Sequence, residues 1–278
     1  MPAKIIDGKR ISGKLLGEVK AKISKLREKP GLAIVIVGEN PASLIYVNSK
    51  EKMCNELGAY CERYNLSKDV SETNLLKLID ELNDNPKIHG ILVQLPLPKQ
   101  IDDQLVIESI RPEKDVDGFS PLNLGNLAVG NTIIAPATPK AVMRMIESAG
   151  KIEGKHAVIV GRSNIVGKPV ALMLLEKNAT VTICHSKTRN LGDYTKDADI
   201  LVAACGVPQL IKKDMVKKGA VVIDVGINRT SGGKIVGDVD FENVKEVASY
   251  ITPVPGGVGP MTIAMLMDNL LEAMKLRR

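Results

Sequence analysis

A chain of 278 residues with 44% hydrophobic side chains is long enough for one large or two ordinary domains around a sizeable core. Its 38 basic and 32 acidic residues leave a net charge of +6 spread along the chain, a balance that suits acidic small molecules. With two Phe, five Tyr and no Trp there is little for bases to stack on, so a nucleic-acid partner rests on the pI of about 9.0 alone and is not expected.

The opening MPAKIIDGKRISGK lacks the apolar core of a signal peptide, and no charge-free run approaches the length of a membrane span. A soluble cytoplasmic protein with no membrane partner is the expectation. The four cysteines (Cys54, Cys61, Cys184, Cys205) form no C-x-x-C pair and the three histidines are far apart, so no metal is expected and free thiols are the reading.

Ile11, Leu15, Val19, Ile23 and Leu26 fall at helical spacing and predict an amphipathic helix over 11–28, stopped by Pro30-Gly31. Leu32 to Val37 is a continuous apolar strand closed by Gly38. Asn40-Pro41 then reads as an N-cap with proline at the first helical position, and Gly58 is placed to end that helix. On a helical wheel Ser43, Tyr46, Val47, Lys50, Met53, Cys54 and Leu57 share one arc of about 120°. Lys50 is the one charge on this face, whereas Asn48, Glu51, Lys52, Asn55 and Glu56 take the other. A lysine snorkelling past apolar neighbours to water gives the same pattern. A lysine lining a cleft would instead be partly desolvated, with more of its amine neutral and able to exchange protons.

Strands at 59–65 and 90–95, with a helix at 72–82 between them, make this first region α/β. The second strand ends in Gln94-Leu95-Pro96, a polar amide at the carboxyl edge where open α/β sheets hold ligands, although structural amides are common there. After a helix at 102–109, Asp115-Val116-Asp117-Gly118 puts two carboxylates beside a glycine. That is a turn, too poor in oxygen ligands for calcium, yet a single carboxylate in a cleft can hold an amidine-like edge by two hydrogen bonds.

A helix at 139–149 leads to His156 to Leu175, read as strand, glycine turn and helix, with the helix N-terminus offering unpaired N–H groups to a phosphate. It departs from the dinucleotide fingerprint: Ser163 replaces the second glycine of G-x-G-x-x-G, and the third comes one place late at Gly167. About 20 residues on, where NAD sites place an acidic residue, the chain reads Cys184-His185-Ser186-Lys187-Thr188-Arg189. With Arg162 in the turn and Ser186, Lys187 and Arg189 after the strand, a 2'-phosphate and hence NADP is favoured, although surface loops carry such charges too. Further strands at 179–184, 200–203 and 220–225 fit a doubly wound parallel sheet. The loops Gly206-Val207-Pro208 and Gly226-Ile227-Asn228 would flank a nicotinamide ring. The Pro- and Gly-rich stretch Thr252 to Thr262, either a ligand loop or a linker, precedes an apolar helix ending at Leu276.

Ser43-x-x-Tyr46-x-x-x-Lys50, Val93-Gln94-Leu95-Pro96, Asp115-Val116-Asp117-Gly118, Gly161-Arg162-Ser163-x-x-Val166-Gly167-x-Pro169, Cys184-His185-Ser186 and Pro255-Gly256-Gly257-Val258-Gly259-Pro260-Met261-Thr262 occur in this order. Together they resemble the bifunctional methylenetetrahydrofolate dehydrogenase/methenyltetrahydrofolate cyclohydrolase family. The resemblance implies two α/β domains around a cleft: a catalytic folate-binding domain of residues 1–137 plus 258–278, and an NADP-binding Rossmann-type doubly wound sheet of residues 138–257. It implies NADP-dependent oxidation of 5,10-methylenetetrahydrofolate followed by hydrolysis to 10-formyltetrahydrofolate, in one-carbon metabolism and purine biosynthesis. A dehydrogenase alone, or a non-catalytic NADP(H)-binding regulator, are the alternatives.

By the same resemblance Lys50 is the acid-base group, Tyr46 stacks on folate, Gln94 hydrogen-bonds the lysine and Asp117 holds the pterin edge. Ser43, Leu95, Pro255, Gly256 and Gly257 complete the substrate site. Gly161, Arg162, Ser163, Ser186, Ile227 and Thr262 bind the cofactor. A polyglutamylated folate and a homodimer are the implied partners. The chain departs from the family pattern at Pro136-Ala137-Thr138-Pro139-Lys140-Ala141, which lacks a cysteine and a glycine common there, and at Cys205, a site more often aliphatic or Thr.

Overall fold

The computed structural model describes residues 2–230 and 232–276. In chain order these form β1 (Lys4–Ile5), α1 (Gly8–Ser24), β2 (Gly31–Val37), α2 (Pro41–Glu56), β3 (Tyr60–Leu66), α3 (Glu72–Asp84), β4 (Gly90–Val93), α4 (Asp103–Ser109), α5 (Pro121–Ala128) and α6 (Ala137–Ala149). Then come β5 (His156–Val160), α7 (Gly167–Glu176), β6 (Thr180–Cys184), α8 (Leu191–Thr195), β7 (Ile200–Ala203), β8 (Val221–Asp224), β9 (Asn228–Arg229), β10 (Ile235–Val236), α9 (Phe241–Val244), β11 (Tyr250–Ile251) and α10 (Val258–Leu276).

The chain divides into two compact units, Lys14–Ala137 with the chain from Met265 on, and the residues before Lys14 with Thr138–Ala264. The sequence places 1–13 and 258–264 with the folate-binding region; the structure groups both with the nucleotide-type sheet instead. The cause for the first is backbone pairing: Lys4 and Ile5 of β1 run parallel to Tyr250 and Ile251 of β11. Two partly solvated residues carry no period from which a strand can be read.

In the unit built on Lys14–Ala137, a parallel sheet runs β3-β2-β4. Every residue of the central strand GLAIVIV is buried, as expected of a parallel strand covered on both faces. Leu75, Ile79 and Leu82 of α3 and Val106 of α4 pack into its core. Both helices begin on capping side chains: Ser71 accepts from the Asn74 N–H at 3.3 Å, and Asp102 accepts from Gln104 and Leu105. The first helix ends at Ser24, short of the expected residue 28. Lys29 takes over there, its Nζ donating to the carbonyls of Ile23 and Leu26 at 3.0 and 2.9 Å.

In the other unit six parallel strands run β1-β11-β8-β7-β5-β6. From β5 the chain steps outward to β6 on one side and to β7 and β8 on the other. The turn after β5 therefore sits where the strand order reverses, the position at which such sheets bind ligands. A short antiparallel arm, β9 with β10, projects between β8 and α9. Among the described residues no helix is long and apolar enough to cross a membrane.

Candidate active site and dinucleotide site

Helix α2 starts as its sequence dictates. The Asn40 side chain accepts from the Ser43 N–H at 3.2 Å, Pro41 opens the helix, and Gly58, at φ +76°, turns the chain away after it. The wheel reading holds: Ser43, Val47, Cys54 and Leu57 are buried, Lys50 and Met53 half-buried, and Tyr46 is 43% exposed on the same face one turn before the lysine. Lys50 Nζ donates to Gln94 Oε1 at 3.2 Å. The Gln94 side chain is held in turn, because its Nε2 donates to the Leu95 carbonyl at 2.7 Å and its backbone N–H to the carbonyl of Val35 at 2.9 Å. The amide oxygen is thereby left facing the lysine, one residue past the end of β4.

The two carboxylates of Asp115-Val116-Asp117 have different fates. Asp115 is buried and spent on its own loop, accepting from the N–H groups of Gly118 and Ser120 at 3.0 and 2.7 Å and from Asn123 Nδ2 at 3.0 Å. Asp117 lies near enough to Lys50 to feel its charge. Burial pushes the Asp117 carboxyl above its ordinary value, and the lysine pulls the other way. The loop is fastened from outside by side chains no local motif reveals. Buried Asn269 on α10 donates to the carbonyls of Val116 and Ala135 at 2.8 and 2.9 Å, and Lys114 Nζ reaches the carbonyls of Leu82 and Asn85 at 2.7 and 3.0 Å. Gly118, at φ +73°, has the Pro136 nitrogen 2.6 Å from where a Cβ would stand. One amine, one amide oxygen and one carboxyl group are thus brought together from α2, the end of β4 and the following loop.

At the carboxyl edge of β5, β6 and β7 a hollow of about 420 Å³ is lined by Gly161, Arg162, Ser163, His185, Ser186 and Cys205, with Val207 beyond. Among the described residues no Asp or Glu side chain lines it. A Cβ on Gly161 would lie 2.1 Å from the Ala204 carbonyl oxygen, and one on Gly167 would lie 2.2 Å from that of Gly161. The glycine that comes one place late therefore still lets helix and turn approach closely. Ser163 explains its own presence in the turn. Its Oγ accepts from the N–H groups of Val166 and Gly167 at 3.1 and 3.4 Å, so N–H groups expected to be unpaired at the start of α7 are satisfied from within.

The remaining expected residues of this unit lie outside the hollow. Ile227, 53% exposed, follows β8; Thr262 on α10 faces Thr138, Oγ1 to Oγ1 at 3.3 Å. Pro255, Gly256 and Gly257 form the loop before α10, where a Cβ on Gly257 would meet the Pro253 carbonyl oxygen at 2.5 Å. Lys187 and Arg189 are exposed and do not line the hollow. Among the described residues no group of three or more His, Cys, Asp or Glu is assembled to hold a metal ion.

Residues 6–117 match the model of the tetrahydrofolate dehydrogenase/cyclohydrolase catalytic domain, and residues 136–278 match that family's NAD(P)-binding domain. The chain belongs to the tetrahydrofolate dehydrogenase/cyclohydrolase family. It is 58% identical over 277 residues to the bifunctional protein FolD of Moorella thermoacetica, covering 98% of this chain and 99% of that one. The crystal structure of the bifunctional FolD methylenetetrahydrofolate dehydrogenase/cyclohydrolase from Campylobacter jejuni superposes with a TM-score of 0.97 at 50% identity, covering 99% of this chain and 100% of that one. The Trypanosoma brucei enzyme, solved with NADP and an inhibitor, gives a TM-score of 0.95 at 37% identity, covering 100% and 99%. As a member of the tetrahydrofolate dehydrogenase/cyclohydrolase family the chain is an enzyme with both activities. The catalytic-domain match contains Lys50, Gln94 and Asp117; the NAD(P)-binding match contains Gly161, Ser186 and Ile227.

Proposed function

We propose that Lys50, Gln94 and Asp117 carry the chemistry on 5,10-methylenetetrahydrofolate, and that the hollow at Gly161 takes NADP rather than NAD. The hydrogen bond from Lys50 to Gln94 carries the first part. It aims a half-buried amine using an amide whose other end is already occupied. The second part rests on the lining of the hollow. A ribose 2'-OH would want a carboxylate there, whereas Arg162, Ser163 and Ser186 supply a positive charge and hydroxyl groups for a 2'-phosphate. The residues fit the dinucleotide: the glycines admit a backbone-hugging ligand, and the site lies at the switch point of the sheet. When bound, NADP+ supplies the acceptor for the hydride leaving the one-carbon bridge.

Hydride loss leaves a cationic methenyl bridge, an electrophile that needs no metal to activate it. Water adds to the bridge carbon and gives up its protons, the C–N5 bond breaks, N5 takes one proton, and one is released overall. The formyl group stays on N10. In its neutral form Lys50 takes a proton from the attacking water and afterwards returns one to N5, with Gln94 Oε1 fixing its direction. Asp117 holds the pterin's amidine edge by two hydrogen bonds, and the exposed ring of Tyr46 stacks on the folate. Ser43 and Leu95 belong to the substrate site of the same unit, and in the unit of the hollow Ile227 and Thr262 lie toward the nicotinamide.

The net charge of +6 favours a polyglutamylated substrate, and the formyl product is of the kind purine biosynthesis consumes. A homodimer through the nucleotide unit belongs to the same reading, supported by edge strand β6 with Ile183 40% exposed. A cytoplasmic location is part of the same reading. Mixing enzyme, NADP+ and methylenetetrahydrofolate should give NADPH and then the formyl product, and Lys50→Met should abolish hydrolysis. Wild-type hydrolysis by that variant would remove Lys50 from the mechanism, and accumulation of methenyl product in the wild type would reduce the enzyme to a dehydrogenase.

A further inference from the structure

Two buried aspartates stand at the carboxyl edge of the six-stranded sheet, in no motif considered above. Asp224, the last residue of β8, is 3% exposed; Asp238, just after β10, is 0% exposed. Asp224 accepts from the N–H groups of Gly226, Asp238 and Val239 at 3.0, 2.9 and 3.0 Å, tying the exit from β8 to the return of the arm. Asp238 faces elsewhere. Its Oδ2 accepts from the N–H groups of Cys205 and Gly206 at 2.7 and 2.9 Å, and its Oδ1 from Asn228 Nδ2 at 2.8 Å. Space for this is cleared by glycine. A Cβ on Gly226 would lie 2.3 Å from Asp238 Oδ1, and one on Gly237 would lie 1.8 Å from Asp224 Oδ2.

Asp238 therefore joins the turn after β7 to the loop after β8. The first of these is a wall of the hollow: Cys205 and Val207 line it, and the Ala204 carbonyl abuts Gly161. The strand order fixes which part of a dinucleotide that wall meets. With β6 and Ser186 on one side of β5, the adenosine end lies that way, and the nicotinamide half lies toward β7 and β8.

We propose that Asp238 is a positioning residue for the nicotinamide half of the cofactor, holding the Cys205–Gly206 turn and the Asn228 loop at one fixed spacing. This rests on the assignment of the hollow to NADP. All three of its partners are donors in this arrangement, so an acceptor-only carboxylate satisfies them at once; Asp238→Leu leaves the Cys205 and Gly206 N–H groups without an acceptor, whereas Asp238→Asn can keep its oxygen on them while Asn228 turns its own amide over to accept. The adenosine end, held by Arg162 and Ser186, stays where it was.

The test compares Asp238→Leu, which removes both acceptor oxygens, with Asp238→Asn, which keeps one for the Cys205–Gly206 turn. In Asp238→Leu, dehydrogenase kcat/KM for NADP+ should fall by about tenfold or more, the scale on which misplacement of a reacting ring is felt. Adenosine 2',5'-bisphosphate should bind as to the wild type, and hydrolysis of methenyltetrahydrofolate should continue unchanged. Asp238→Asn should retain most of the dehydrogenase activity, and Asp238→Ala carries the test if Asp238→Leu is insoluble. Unchanged kcat and KM in the variant that lacks the acceptors, equal loss of both activities, or a loss in Asp238→Asn as large as in that variant would each overturn the assignment. Failure of the wild type to bind the bisphosphate would instead show that the NADP reading itself is wrong, and the inference would fall with it.

Discussion

Lys50 and Gln94, 44 residues apart, meet with Nζ 3.2 Å from Oε1, and the glutamine's own Nε2 is anchored on the Leu95 carbonyl. The amide is neutral, so it can direct the amine without holding a proton on it. Gln94→Glu replaces it by a carboxylate at the same distance, which would clamp the lysine as an ammonium through an ion pair. A charge-assisted bond of about 1.5–3 kcal/mol corresponds to roughly 10- to 100-fold slower hydrolysis at neutral pH. Stopped-flow hydrolysis of methenyltetrahydrofolate would measure this, and a rate equal to the wild type would show that the amine is not directed from Gln94.

Among the described residues, Arg162 is the one Arg or Lys lining the hollow at Gly161. Arg162→Ala should raise KM for NADP+ by about 10- to 100-fold, the size of one lost charge-assisted contact, while KM for NAD+ changes little. Steady-state kinetics with both cofactors decide it: an equal loss for the two would mean that Arg162 does not read the 2'-phosphate.

Asp224 makes stability depend on pH. Burial, helped by the nearby charge of Asp238, pushes its carboxyl up to about 7, although backbone N–H groups of Asp238, Val239 and Gly226 oppose the rise. In an unfolded chain it would titrate near ~3.9. Between these values the folded protein holds a proton that the unfolded chain has lost. Its contribution is therefore complete below pH ~4 and is lost as pH rises through about 7, some ~4 kcal/mol in all. Asp224→Asn mimics the protonated form at every pH. The difference in unfolding free energy between variant and wild type should move in the variant's favour from pH 5 to pH 8, as read by denaturant titration. A constant difference would show that Asp224 does not titrate there.

Much of this site is legible in the sequence because its parts obey local periods. Lys50 stands out since α2 keeps a 3.6-residue repeat around it, and Gln94 since an apolar strand ends at its doorstep. The local pattern does not separate Asp117 from Asp115, and only the family resemblance picks Asp117, because the difference lies in which carboxylate finds the N–H groups of Gly118 and Ser120. Asn269 was invisible: its partners, the carbonyls of Val116 and Ala135, lie 153 and 134 residues away. Asp224 and Asp238 stand in no local motif for the same reason. Ser163 misled in the other direction. It replaces a glycine of the fingerprint and brings its own acceptor to N–H groups that the pattern leaves for phosphate. Strands β1 and β11, two residues each, are set by pairing with distant backbone rather than by their own side chains.

That pairing has a consequence for how the protein is made. The segment carrying Lys4 and Ile5 is synthesised 246 residues ahead of the backbone it must join, at Tyr250 and Ile251. While everything between them is being made it has no template to dock on, and the edge of the larger sheet is closed only after β11 has emerged.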